Sequence, residues 1–150
     1  MRVLIQRCLR ASVTVGERVV GRIGRGYLVF LGVGKTDTEK EACFLASKLV
    51  ELRLFPEGER ENHLTIREVG GEILVVSQFT LYGDVQKGRR PSFDLAMPAT
   101  DAKRLYEYFV ERLRESGIGV QTGEFGAMME VELVNWGPYT LWMEKDFMAV

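Results

Sequence analysis

Residues 72–81 read EILVVSQFTL, an apolar run rich in β-branched and aromatic side chains. A run of this composition is typical of a buried strand, and Gly83 marks its end two residues later. We therefore predict that this stretch is the central strand of a sheet and that the flanking segments pack around it.

Upstream of this strand, short β-rich runs alternate with glycines. Val3-Leu4-Ile5 opens one strand, and residues 12–15 continue its β character. Residues 18–23 and 27–33 form a second pair, separated by Gly24-Arg25-Gly26. Short runs of this kind between glycines predict hairpins.

Two segments have the spacing of amphipathic helices. Thr38 begins the first helix, because Glu41 follows three residues later and completes a capping box. The second helix covers about residues 100–116, and Gly117 stands where a glycine commonly ends a helix. The apolar residues of each helix fall on one face: Ala42, Leu45, Ala46, Leu49 and Val50 in the first, and Leu105, Phe109 and Leu113 in the second.

The chain closes with two further predicted strands, over residues 129–134 and 139–143, on either side of Asn135-Trp136-Gly137-Pro138. The order is thus strands, helix, strand, helix, strands. It predicts a mixed α/β fold, mainly antiparallel β-sheets with two helices, in a three-layer β/β/α arrangement. Because the chain has 150 residues and no repeat or linker, we expect a single domain over residues 1–150.

Composition and charge narrow the class of protein. Hydrophobic residues make up 46% of the chain, and no apolar run approaches the roughly 18 residues of a membrane span. The net charge of −1 argues against a protein that coats nucleic acid non-specifically, but it leaves room for one that grips only the end of an RNA. Cys8 and Cys43 lie far apart and suggest no disulfide framework. We therefore expect a cytoplasmic protein that does not bind membranes.

Gly34-Lys35-Thr36 resembles the end of a phosphate-binding P-loop. The pattern requires another glycine five residues before Gly34, and Val29 stands there. We interpret the segment as the end of a strand followed by a capped helix, and we do not expect nucleotide binding.

His63 is the only histidine, so a Ser-His-Asp or Cys-His machinery would have to use it. It lies in the polar stretch 59–65, which we expect to be an exposed loop. Ser77 has no G-x-S-x-G elbow around it, and one histidine with two separated cysteines forms no recognisable zinc site. An enzyme with this sequence would therefore work without a strong side-chain base, and we expect neither a metal nor a cofactor.

Four segments carry a specific resemblance to a known family. Residues 77–84 read SQFTLYGD, residues 87–93 read KGRRPSF, residues 122–127 read TGEFGA, and residues 135–140 read NWGPYT. In this order they resemble the D-aminoacyl-tRNA deacylases, and the likeness covers essentially the whole chain.

The resemblance implies a homodimeric enzyme that hydrolyses the ester joining a D-amino acid to the 3′ end of tRNA. It implies a glycine–cis-proline element, supplied by Gly137 and Pro138, that reaches into the partner subunit's pocket and tests chirality. The floor of that pocket would be lined by Ser77, Gln78, Phe79 and Thr80, and a further wall by Phe125, Gly126, Ala127, Met128 and Met129. The basic residues Lys87, Arg89 and Arg90 are candidate tRNA contacts.

The sequence also departs from the family. The family usually has an acidic residue at the position of Trp136, a small aliphatic residue at Tyr139, and asparagine at His63 and Arg89. These departures concern the rim of the pocket and the contacts with tRNA.

The expected catalysis depends on the backbone and on the substrate. Amides of Gln78, Phe79 and Thr80 would stabilise the oxyanion, and the vicinal ribose hydroxyl would assist. Without a nearby base, Thr80 and Ser77 are expected to position groups and not to act as covalent nucleophiles. Exclusion of L side chains would leave glycyl-tRNA open to hydrolysis. The alternatives are an esterase or amidase for small molecules and a non-catalytic module that binds RNA ends.

Overall fold

A computed structural model of the chain describes residues 1–148. The elements in chain order are β1 (Arg2–Val15), β2 (Arg18–Ile23), β3 (Gly26–Gly32), α1 (Glu39–Glu51), β4 (Arg53–Glu57), β5 (Arg60–Thr65), β6 (Glu72–Ser77), a 3-10 helix (Phe79–Tyr82), α2 (Ala99–Glu115), β7 (Gly119–Thr122) and β8 (Glu130–Glu144).

The main sheet is mixed. Its strand order is β2-β1-β3-β6-β7, and β8 pairs with β1. β1 is antiparallel to β2, β3 and β8, whereas β3, β6 and β7 run parallel to one another. β4 and β5 form a separate antiparallel hairpin. The predicted mixed α/β class with two helices is confirmed.

Apolar residues form a core on each face of the central strands. Val29 and Val75 belong to a core that includes residues of both helices, such as Leu45 and Phe109. Neighbouring residues of the same strands, such as Leu28 and Val76, belong to a second core. This core also contains Cys8, Ala11, Val13, Ile23 and Leu74. The second core includes residues of β2 and β6, and β2 contacts both β6 and β7. Gly21 permits that close approach, since a Cβ atom there would lie 2.5 Å from the carbonyl oxygen of Thr122.

Both helix ends that the sequence marks are confirmed. The Thr38 side chain accepts a hydrogen bond from the N–H of Lys40 at 3.2 Å, and Glu41 accepts one from the N–H of Thr38 at 2.7 Å. This capping box fixes the start of α1. Gly117 follows the cap of α2 with a φ of +86°, the left-handed conformation that glycine adopts without strain.

The predicted central strand is correct in position but wrong in length. It ends at Ser77, and the chain then forms the 3-10 helix instead of continuing to Leu81. The parallel ladder ends at the pair of Leu31 and Ser77, one residue before β3 itself ends at Gly32. The N–H of Gln78 makes one last bond to the carbonyl of Leu31 at 2.8 Å before the chain turns.

Two other expectations need correction, and one further strand was not predicted. The polar stretch around His63 is not a loop, because residues 60–65 form β5 in a hairpin with β4. The short strand β7 was not expected. The two closing strands are a single strand, β8, which continues through residues 135–138. No helix in the described part of the chain is long and apolar enough to cross a membrane.

Candidate active site

A cavity of about 670 Å³ opens at the carboxyl ends of the parallel strands β3, β6 and β7. Ligands commonly bind at this edge of a parallel sheet, because the loops that follow the strands converge there. The cavity is lined by Val33, Val76, Ser77, Gln78, Phe79, Phe93, Ala96, Met97, Pro98, Ala99, Ala102, Phe125, Gly126, Ala127, Met128, Met129 and Val131.

The structure brings two of the sequence-predicted segments together in this cavity. Ser77, Gln78 and Phe79 approach it from the end of β6, and residues 125–129 approach it from the connection between β7 and β8. Gly126 has a φ of +78°, which explains the glycine in this connection. Thr80 does not line the cavity. It is exposed on the 3-10 helix and accepts a hydrogen bond from Nε2 of Gln78.

The backbone amides of the floor are not equivalent. The N–H of Gln78 is used by the carbonyl of Leu31, so it is not free to bind a developing oxyanion. The amides of Phe79 and Thr80 lie at the start of the 3-10 helix, where the first N–H groups have no acceptor within the helix. The expected set of three donors therefore reduces to these two.

Sequence reasoning missed a third wall of the cavity. It is formed by the chain before α2 and by the first turn of that helix, with Met97, Ala99 and Ala102 among the lining residues. Small apolar side chains on an amphipathic helix give no signal that separates a pocket wall from a core. Tyr106, one turn further along, packs against Phe125 with ring centroids 5.7 Å apart.

Tyr106 supports this wall from inside the protein. Its hydroxyl donates to the carbonyl of Val75 at 2.9 Å, and burial raises the pKa of Tyr106 to about 12. The Tyr106 side chain is 5% exposed, so it belongs to the core and offers no surface on which a nucleobase could stack.

The rim of the cavity is unusually apolar. Phe79 is 56% exposed and Met128 is 92% exposed, although both also line the cavity. Phe79 meets Phe93 edge to face, with ring centroids 5.0 Å apart. Exposed apolar side chains around a cavity are typical of a surface that another molecule covers.

The candidate tRNA contacts lie in a loop beside this rim. The loop is closed by two backbone hydrogen bonds between Asp84 and Ser92, of 2.8 and 2.9 Å, next to Phe93. Lys87, Arg89 and Arg90 are exposed, and within the described residues none of the three forms an ion pair. The loop therefore presents three unpaired positive charges close to the cavity.

Gly137 and Pro138 lie apart from the cavity of their own chain. Both are exposed, the peptide bond between them is cis, and neither is among the residues that line the cavity. They belong to a wide bulge in β8: Asn135 pairs with Cys8 and Thr140 with Gln6, so residues 136–139 face Arg7 alone. A Cβ atom on Gly137 would meet nothing within 4 Å, so its surface is open to another molecule.

No role was predicted for Arg7, which holds this bulge in place. Its guanidinium donates to the carbonyls of Trp136 at 3.0 Å, Gly137 at 2.9 Å and Leu54 at 2.6 Å. Arg7 is 2% exposed, and burial lowers its pKa from the ordinary value. A signal was available: Arg7 continues the alternation of the buried residues Val3 and Ile5, so it is a charge at a core-facing position.

The base of the bulge is closed by side chains. Nδ2 of Asn135 donates to the carbonyls of Arg7 at 2.9 Å and Tyr139 at 3.2 Å. The Thr140 hydroxyl donates to Oδ1 of Asn135 at 3.3 Å. The bulge is thus a loop with fixed ends.

His63 is not part of this arrangement. It lies on β5, and Nε2 contacts Oε2 of Glu57 across the hairpin at 3.2 Å. Among residues 1–148, no group of three or more His, Cys, Asp or Glu side chains is placed to hold a metal ion.

The chain is similar to known proteins along almost its whole length. A D-aminoacyl-tRNA deacylase of Exiguobacterium sp. is 56% identical over 146 residues, which cover 97% of this chain and 99% of that protein. One of Koribacter versatilis is 54% identical over 149 residues, covering 98% and 100%. The solved structure of the c-Myc DNA Unwinding Element Binding Protein superposes with a TM-score of 0.90 at 40% identity, covering 97% of this chain and 99% of that one.

These likenesses place the protein among the hydrolases that act on ester bonds. The sequence profile of the D-Tyr-tRNA(Tyr) deacylases matches residues 4–144, and the chain belongs to that family. A more distant structure, described as a probable eukaryotic D-amino acid tRNA deacylase, shares the fold with a TM-score of 0.81 at 22% identity, over 95% of this chain and 97% of that one.

Proposed function

We propose that this protein hydrolyses the ester bond of D-aminoacyl-tRNA and rejects L-aminoacyl-tRNA by steric exclusion. The observation that carries the proposal is the cavity, which joins the floor of Ser77, Gln78 and Phe79 to the wall of residues 125–129. The relatives named above, which are called D-aminoacyl-tRNA deacylases, support this substrate class.

Catalysis would rely on the amide of Phe79, which lines the cavity, and on that of Thr80, which follows it at the start of the 3-10 helix. An oxyanion donor is typically worth about 3–4 kcal/mol in the transition state. An aminoacyl-tRNA ester is already activated, and its vicinal ribose hydroxyl would assist the attack. This scheme needs no side-chain base, and the one imidazole of the sequence, that of His63, contacts Glu57 on a separate hairpin.

A second copy of the chain would complete the site. Gly137 and Pro138 are exposed but do not line their own cavity, while the cavity has an uncovered apolar rim. We propose a homodimer in which the bulge of one subunit covers the cavity of the other. The apolar rim residues Phe79 and Met128 would then be buried against the partner.

In such a dimer, the bulge would act as the chirality filter. Because Gly137 has no side chain, backbone carbonyls of the bulge would approach the substrate's ammonium and leave space on only one side of the Cα atom. An L side chain would clash, whereas a D side chain would point away. Glycine offers nothing to exclude, so glycyl-tRNA should be hydrolysed as well.

The loop that carries Lys87, Arg89 and Arg90 would bind phosphates near the 3′ end of the tRNA. Its three charges are unpaired and lie next to Phe93 at the cavity rim. We further propose a reducing, cytoplasmic setting, in which the free thiols of Cys8 and Cys43 are stable.

The direct test is deacylation of matched D-, L- and glycyl-tRNA, each against a no-enzyme control and a small D-amino acid ester. We expect fast release from D-aminoacyl-tRNA, measurable release from glycyl-tRNA and background release from the L form. Equal rates for the D and L forms would refute the filter. Hydrolysis of the small ester alone would identify an esterase without RNA specificity, and binding without release would identify a non-catalytic module.

A substitution of Pro138 tests the proposed chirality filter separately from the pocket floor. Pro138→Ala should lower the ratio of D to L hydrolysis, because the bulge would lose its fixed backbone path. If this variant retained full selectivity, the role given to Gly137 and Pro138 would be wrong.

A further inference from the structure

The charge of Arg7 is enclosed in an unusual way. The guanidinium carbon lies 4.1 Å from the ring centroid of Trp136 and 4.6 Å from that of Tyr139. In the described part of the chain, no carboxylate forms an ion pair with Arg7. Glu61 acts on this buried cation through its charge without an ion pair, and the direct contacts of the guanidinium are backbone carbonyls and aromatic rings.

We propose that Trp136 and Tyr139 are positioning residues that confine the Arg7 guanidinium and, through it, fix the backbone of Gly137 and Pro138 for selection of the D substrate. The inference rests on the proposed function, since it concerns how the same bulge is held. We call Arg7, Trp136 and Tyr139 together the arginine clamp.

The aromatic rings restrain the Arg7 guanidinium at its faces, where hydrogen bonds cannot act. The guanidinium donates to the Trp136 and Gly137 carbonyls within its own plane, which sets its orientation. Its two faces have no hydrogen-bonding capacity, and aromatic rings attract a cation placed over them. Rings against the guanidinium keep water from competing for the bulge carbonyls.

The wall formed by Trp136 is anchored in the protein core. Its ring meets Phe55 edge to face with centroids 6.0 Å apart, and Phe55 is 1% exposed. The guanidinium of Arg25 lies 5.2 Å from the same ring. Trp136 therefore links the position of Arg7 to the core.

Two residues of the arginine clamp, Trp136 and Tyr139, are themselves part of the bulge. Trp136 and Tyr139 flank Gly137-Pro138 in the chain, and Arg7 bonds the carbonyls of Trp136 and Gly137. A shift of either ring thus moves the guanidinium and the carbonyls together. Loss of one ring should change the selectivity of the bulge more than it changes the stability of the protein.

The test compares Trp136→Leu and Tyr139→Leu with Trp142→Leu. Trp142 is a matched control on the same strand, since it is 49% exposed and lies 5.8 Å from a different arginine, Arg2. We expect the D-over-L ratio of kcat/KM to fall roughly five- to thirtyfold in the clamp variants, as expected for a cation–π contact at a buried site. Trp136→Phe, which keeps a ring, should restore most of the ratio, and Trp142→Leu should leave it unchanged.

A double variant asks whether the rings act through Arg7. In an Arg7→Met background, Trp136→Leu should cause no further loss of selectivity, because residues that act as one unit are not additive. Additive losses would overturn the proposal. Thermal unfolding of each variant identifies any that fail to fold.

A second readout does not depend on activity. Exchange of the Arg7 Nε–H proton with solvent, followed by NMR, should be slow in the wild type, faster in Trp136→Leu and unchanged in Trp142→Leu. Unchanged exchange in Trp136→Leu would overturn the proposal, and so would faster exchange with an unchanged D-over-L ratio. If the wild type fails to hydrolyse D-aminoacyl-tRNA, the proposed function is wrong, and the exchange measurement alone decides whether the rings confine Arg7.

Discussion

Thr80 provides a sharp test of how this site works. Its hydroxyl accepts a hydrogen bond from Nε2 of Gln78, and the only histidine of the chain is bonded to Glu57 on another hairpin. Without a base, a threonine hydroxyl is a weak nucleophile. We therefore expect the side chain of Thr80 to orient Gln78 and the 3-10 helix while its backbone N–H serves the oxyanion.

The magnitude follows from this one contact. Thr80→Ala removes a neutral hydrogen bond worth about 0.5–1.5 kcal/mol, which corresponds to a rate loss of about two- to thirteenfold. Removal of a covalent nucleophile would instead cost on the order of 10⁴- to 10⁶-fold. The two mechanisms thus differ by at least about three orders of magnitude in the same variant.

The assay is single-turnover release of the amino acid from D-aminoacyl-tRNA with enzyme in excess. Thr80→Ser keeps the hydroxyl, and Thr36→Ala alters an exposed threonine outside the cavity, so the two serve as controls. A loss above a thousandfold in Thr80→Ala that Thr80→Ser restores would refute the reasoning. So would an acyl group trapped on Thr80 and detected by mass spectrometry.

Three further predictions concern other parts of the molecule. Burial raises the pKa of Glu41, but hydrogen bonds from Thr38 and the N–H of Phe147 outweigh it and lower the pKa from 4.5 to about 2. The lowered value contributes about 3 kcal/mol to stability above pH 4.5 and is lost as the pH falls toward 2, so urea unfolding of Glu41→Gln should show a weaker pH dependence across this window. Gly21→Ala should destabilise the protein by about 1–3 kcal/mol through the 2.5 Å contact with the Thr122 carbonyl, whereas Gly24→Ala, with its nearest atom at 3.9 Å, should be close to neutral in thermal unfolding. Replacing Lys87, Arg89 and Arg90 with alanine should reduce the slope of log(kcat/KM) against log[salt] by about 2 to 3, and an unchanged slope, equal to that of the ion-paired control Arg104→Ala, would show that the loop does not contact phosphates.

Local signals in the sequence predicted the regular elements well. The Thr38–Glu41 pair marked the start of α1, and Gly117 marked the end of α2. Signals of this kind act within one turn of chain, so a single sequence contains them in full. The strand end at Ser77 was missed for the opposite reason, because it depends on pairing with β3, a strand that is distant in the sequence.

In the candidate site, too, the parts that depend on local sequence were predicted and the parts that depend on distant contacts were not. Ser77, Gln78 and Phe79 were predicted as the pocket floor, and the structure does place them in a cavity with residues 125–129. The contributions of Ala99 and Ala102 depend on how α2 docks, which no spacing within the helix reveals. Likewise, the engaged N–H of Gln78 follows from pairing with Leu31, forty-seven residues earlier.

The separation between Gly137-Pro138 and the cavity has a consequence for how this enzyme would be built. On its inner side, the bulge is held by Arg7, which donates hydrogen bonds to the carbonyls of Trp136 and Gly137. The exposed side of Gly137 stays open. An element that is rigid on its inner side and free on its outer side is suited to enter the pocket of another subunit. If the proposed dimer forms, the buried charge of Arg7 would serve the recognition element, because its guanidinium supports the bulge from the inner side.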